Sequence, residues 1–235
     1  MKVVLPKVHR KDCEAILVNT AGGITGGDHL TFAARVAAGA QLTVTTQAAE
    51  RAYRAQPGEV GRVETALTVA DGGRLHWLPQ ELILFDRAAL RRTLSIDLDH
   101  GATLLMVEPV VFGRAAMGET LHDVTFHDRI QIRRAGAPVY LDGMQLTGDV
   151  AAHLQRSAIA AGAGAMASLV FVSPDAEAQL PKLRAMLPPT AGASLLAPDV
   201  LVLRQLAEDS FALRRSLIPV LDHLTNNTLP TSWRL

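Results

Sequence analysis

The chain has 235 residues, of which 49% are hydrophobic, and its 23 Lys+Arg balance 23 Asp+Glu. This content supports a sizeable core and excludes a disordered chain, and the zero net charge excludes the basic footprint of a nucleic-acid binder. A single cysteine, Cys13, excludes an internal disulfide and a Cys-rich zinc site. Residues 1–7 are too short and too charged for a signal peptide, and no apolar run reaches the length of a membrane span. A cytoplasmic protein is expected. Its neutral charge and apolar content favour life in a complex.

Residues 30–110 carry a weak internal repeat. Each unit has a strand-like run, a turn containing glycine, then a second apolar run ending in a polar group. The first unit pairs residues 30–38 with 41–47 across Gly39-Ala40. The second pairs 62–69 with 75–81 across Asp71-Gly72-Gly73, and the third pairs 92–98 with 104–109 across His100-Gly101. Leu42, Leu75 and Leu104 occupy equivalent places. The first runs of units two and three alternate apolar and polar residues, as strands with one wet face do. The second runs are more continuously apolar, as expected for strands covered on both faces. Stacking of the units as hairpins in two layers would gather Gln47, Gln80 and Glu108 at one end of adjacent strands.

Residues 124–132 and 139–146, joined at Ala135-Gly136, continue the pattern. Beyond them, 168–172 reads as a strand. Ser173-Pro174-Asp175 starts a helix that stops before Pro188-Pro189. Two short strands follow at 193–196 and 200–206. Asp209-Ser210 caps a second helix, which Pro219 would kink or divide. The expected fold is mainly β, with stacked β-hairpin layers in a two-sheet or solenoid-like body. A smaller C-terminal β-α-β-β-α segment completes it. Residues 1–150 form the body and 151–235 the α+β segment, together one structural unit.

No enzyme signature emerges. Gly22 and Gly27 have phosphate-loop spacing, but Asp28 and His29 follow where lysine and a hydroxyl are required. The glycines serve a tight turn instead. Glu50 and Arg54 would pair at i,i+4 in a helix, although an exposed turn suits the local sequence better. Glu81 and Asp86 are set in an apolar run, with Arg87, Arg91 and Arg92 near enough in sequence to pair with them. Glu108 and Glu119 flank a glycine-containing bend with Arg114, but aromatic residues are only 4%, which leaves few platforms for a sugar ring. The eight histidines, His9 among them, form no tight ligand spacing.

Five segments in order resemble the urease accessory protein UreD (UreH) family. They are Asn19–Asp28 (NTAGGITGGD), Thr45–Arg54 (TTQAAERAYR), Trp77–Glu81 with Phe85-Asp86, Gly113–Glu119 (GRAAMGE), and the terminal Trp233-Arg234-Leu235. The resemblance implies a mostly β fold and a non-catalytic maturation factor. Such a chaperone binds apo-urease with UreF and the GTPase UreG, which hydrolyses the GTP, and assists entry of nickel into the urease metallocentre. It also implies further residues before the segment that begins at Lys2, and hence an incomplete first edge. A dimer within the accessory complex is expected. No cofactor is tightly bound, nickel passes transiently, and neither nucleic acid nor membrane is a partner. Asp28, Glu50, Glu81, Glu108 and Glu119 are the candidate nickel ligands. Gln47, Arg51, Tyr53, Arg54, Gln80, Asp86 and Arg114 are candidates to line the route or meet a partner. The alternative is a β-rich carbohydrate-active or other binding protein unrelated to urease.

Overall fold

A computed structural model describes residues 1–7 and 12–234. His9 and Leu235 lie outside the described residues. The chain opens with β1 (Lys2–Val4) and β2 (Cys13–Val18), with Cys13 exposed at the start of β2. The first repeat unit supplies β3 (His29–Val36), β4 (Gln41–Thr46) and the short β5 (Glu50–Ala52). The second supplies β6 (Gly61–Val69), β7 (Arg74–Leu78) and β8 (Leu82–Leu84). The third supplies β9 (Ala89–Leu98) and β10 (Thr103–Phe112), and β11 (Val124–Arg134) and β12 (Ala137–Gly148) follow.

The fold is mainly β and solenoid-like, as the repeat indicates, but the connection within a unit differs from a hairpin. The two runs of each unit do not pair with each other. First runs β3, β6 and β9 stack in parallel in one sheet, joined by β11 and β12. Second runs β4, β7 and β10 stack in parallel in the other. Each glycine turn is therefore an arch that carries the chain from one sheet to the other. Leu42, Leu75 and Leu104 lie side by side in this register, which is the repeat made visible. The arches also stack on one another, with the Gly39 amide donating to the Asp71 carbonyl and the Gly101 amide to Asp71 Oδ1. Only the β11–β12 pair is a true hairpin among these units. Its turn residues Ala135 and Gly136 both have positive φ, the geometry that matches strand twist in a two-residue turn.

The second sheet continues through β13 (Ala165–Val172), β15 (Val200–Ala207) and β14 (Ala191–Ala197), with α1 (Val150–Leu154) leading into it. Its strands β10 and β13 are buried on both faces. Leu104 and Met106 of β10 face the other sheet, whereas Leu105 and Val107 face helices α2 (Ala176–Met186) and α3 (Ser210–Leu224). That double burial is why β10 reads as an unbroken apolar run. Asp209 caps α3 by accepting from the Ala212 amide, and α3 passes Pro219 as one helix. Leu213, Leu217, Val220 and Leu221 pack onto the sheet. A terminal 3-10 turn (Thr231–Arg234) drives Trp233 under α3, where its indole N–H donates to the Leu78 carbonyl at 2.9 Å. The exposed β1 lies at the opposite edge of this sheet.

Candidate functional site

The glycine-rich turn brings the first motifs together by close approach. A Cβ on Gly23 would stand 2.2 Å from the Tyr53 ring and 2.9 Å from the Arg51 carbonyl, so only glycine fits. Ile24 hydrogen-bonds to both Arg51 and Tyr53 through the backbone. Asp28 closes its own turn, its Oδ2 accepting from the Thr25 amide at 2.8 Å. Glu50 lies in strand β5, not in a helix. Its carboxylate accepts from Asn19 Nδ2 at 3.0 Å instead of pairing with Arg54. Arg51, Arg54 and Gln47 are exposed. Beside them Tyr53 meets Phe85 edge-on at 4.9 Å, and the Arg114 guanidinium lies over the Phe85 ring, 4.1 Å from its centroid. Arg114 grips Glu119 with two side-chain bonds of 2.9 Å, and those bonds hold the Glu119 carboxyl below its ordinary range. Asp86 receives the backbone amides of His122 and Asp123. Asp28, Asp86 and Glu119 are thereby committed to fixing loops.

Two charge clusters are buried. In one, Arg214 of α3 forks onto both oxygens of Glu81 at 2.6 and 2.8 Å and also donates to Gln80 Oε1. Glu81 therefore pairs with a residue 133 positions away rather than with Arg87, Arg91 or Arg92. In the other, Arg92 Nη1 donates to Glu108 Oε2 at 2.6 Å, while its Nε and Nη2 donate to Asp128 at 2.9 and 2.5 Å. The Trp77 indole donates to Glu108 Oε1 at 2.6 Å. Burial outweighs Arg92 and pushes the Glu108 carboxyl above the ordinary glutamate value. Gln80 and Glu108 thus turn to different partners, one toward α3 and the other between the sheets.

Three cavities share lining residues, one at the surface and two between the sheets. An outer one is lined by Gln47, Glu50 and Arg51. Glu50 also lines the next, of about 80 Å³, whose walls include Trp77, Gln80, Arg92 and Glu108. Glu108 in turn lines a third, of about 20 Å³, with Asp128, Asp142, Ser168 and Arg204. At that far end Asp142 is held by Arg204 and by the Tyr140 hydroxyl, whose pKa is pushed up to about 12 by burial and by the neighbouring carboxylate. Asp28, Glu81 and Glu119 line none of the three.

Sequence reasoning identified Glu50 and Glu108 but missed Arg92 as their neighbour, together with Asp128, Asp142 and Arg204. A signal existed for two of these. Arg92 and Asp128 occupy inward positions of alternating strands, in step with Leu94 and Ile96 on β9 and with Phe126 and Ile130 on β11, and they are direct register partners. Among the described residues no three His, Cys, Asp or Glu side chains converge as a closed metal cage. No helix among them is long and apolar enough to cross a membrane. The arrangement offers hard, separated oxygen donors lining neighbouring cavities, and oxygen donors are the kind that suit divalent cations.

A family model for the UreD urease accessory protein matches residues 1–234. Urease accessory protein UreD of Ruegeria pomeroyi is 57% identical over 234 residues, covering all of this chain and 91% of the relative. The proteins of the same name from Roseobacter denitrificans and Sinorhizobium medicae are 56% and 45% identical, again across the whole chain and 86% of each relative.

Proposed function

The chain belongs to the UreD family of urease accessory proteins, and from that premise we propose that it is a non-catalytic scaffold that carries nickel toward the urease metallocentre. In this reading it binds apo-urease together with UreF and UreG in the cytoplasm, as a dimer within the accessory complex. Nickel is its cargo. By the Irving–Williams order nickel binds nitrogen and oxygen ligands tightly, so an unprotected ion would be captured by wrong sites. An enclosed route with exchangeable carboxylates avoids that capture.

One observation supports the reading: three neighbouring cavities share carboxylates as lining residues, the outer and the larger inner one Glu50, the two inner ones Glu108. The route proposed here runs past Glu50, Glu108, Asp128 and Asp142. The expected test result is that Glu50→Gln and Glu108→Gln leave co-purification with UreF, UreG and apo-urease intact, while bound nickel and urease activity fall by about tenfold, the scale of one lost ligand contact. Normal activation by both variants would remove the route. Failure of the wild-type chain to recover these partners would remove the scaffold.

A further inference from the structure

Glu108, the residue that the two inner cavities share, is bound by a side chain of the same charge sign as the cargo. Arg92 lines the larger cavity, Asp128 the smaller, and Glu108 both. The guanidinium lies between the two carboxylates and is 12% exposed. We infer that Arg92 is the plug of this passage, and that a divalent cation crosses the sandwich only by taking its place between Glu108 and Asp128. The inference rests on the proposed nickel route.

Charge arithmetic supports the exchange. With Arg92 in place the two ionised carboxylates and the guanidinium sum to one negative charge, so a cation is still drawn inward. Replacing the guanidinium with a divalent ion brings the sum to zero, which a buried site favours. Arginine cannot lose its proton, so the plug cannot open by deprotonation. It opens by competition. The Phe126 ring lies 5.7 Å from the guanidinium carbon, and its face attracts a cation. Competition also selects. The entering ion must form bonds to carboxylate strong enough to displace three charge-assisted hydrogen bonds, and nickel, which binds a given donor set more tightly than magnesium, does this better. The plug thus bars abundant weak-binding cations from the route.

The test is equilibrium dialysis of the full-length chain against nickel and, separately, magnesium, with folding checked by thermal unfolding. Arg92→Met should hold one nickel at least tenfold more tightly than wild type, because the ion no longer competes with a tethered cation. Adding Glu108→Gln should abolish the gain, and magnesium should respond much less. If Arg92→Met does not fold, Arg92→Lys decides: a lysine point charge cannot fork onto both carboxylates, so nickel should bind about threefold more tightly. A folded Arg92 variant that binds nickel no better than wild type overturns the plug, as does a gain that survives Glu108→Gln. The two readings fail separately. Normal urease activation by Glu50→Gln and Glu108→Gln defeats the route itself. Loss of activation in those variants, with nickel binding unchanged in the Arg92 variants, defeats only the plug.

Discussion

At the scale of single residues, the buried Arg92–Glu108–Asp128 group carries one more negative than positive charge, and this excess has a measurable cost. Burial raises the Glu108 carboxyl above its unfolded value. A carboxyl shifted this way contributes stability that is fully present below the ordinary glutamate value and is lost as pH rises through the shifted one. Glu108→Gln does not titrate. The stability of wild type relative to this variant should therefore fall as pH climbs from the ordinary glutamate value through the raised one, as read by urea denaturation at several pH values. At neutral pH the amide should cost about 1–3 kcal/mol, since its oxygen still accepts from Trp77 while its NH2 faces the Arg92 donor. Glu108→Ala should cost about 2 kcal/mol, from the stranded indole N–H and the cavity left behind. Much of this chemistry was legible in the sequence as parity. A charged residue at an inward position of an alternating strand must have a buried partner, and Arg92 and Asp128 both break their strands' apolar face. What parity cannot supply is the partner's identity when it lies on the other sheet, as Glu108 does.

At the scale of elements, the repeat was legible because leucines recur at the same place in each unit, and the register places them side by side. The arch was not. A glycine turn between two apolar runs serves equally well to pair them or to separate them into two sheets, and local sequence does not distinguish the outcomes. The second-run strands do: an unbroken apolar run needs cover on both faces, which an isolated hairpin layer cannot give. The cover on the outer face is α3, and one side chain pins it. Arg214 satisfies Glu81, which is 3% exposed, donates to Gln80, and stacks over Trp233 at 5.3 Å. Arg214→Ala would leave the Glu81 carboxylate buried and unpaired, and should cost about 3–5 kcal/mol. Thermal unfolding should show the loss directly. Glu81→Gln in the same background should restore most of it by removing the stranded charge. Equal destabilisation by the single and double variants would mean that α3 is held by its apolar contacts instead.

At the scale of the whole molecule, the space lined by Glu108 belongs to neither sheet alone. It exists because inward side chains from β9 and β11 fail to fill the space facing β10 and β13, where polar residues replace the leucines and valines found further along the same strands. Volume left between two sheets depends on how closely they approach, and no periodicity in one strand encodes that distance. This is why Glu50 and Glu108 were legible singly and the space that Glu108 shares with Asp128 and Asp142 was not. The proposed route makes a prediction that depends on space rather than on charge. Ser168 of β13 is the register partner of Glu108, is buried, and lines the smaller cavity. Ser168→Val adds carbon atoms at this narrow point without adding or removing a charge, and valine suits a strand. Its overpacking should cost about 1–3 kcal/mol, which a folded chain can bear. Recovery of the complex with UreF, UreG and apo-urease should stay at the wild-type level, because the residue lies inside the sandwich. Urease activation and nickel content should fall, while Ser168→Ala, which opens the same point, should retain both. If Ser168→Val activates urease as well as wild type does, nickel does not pass between the sheets, whatever the carboxylates contribute.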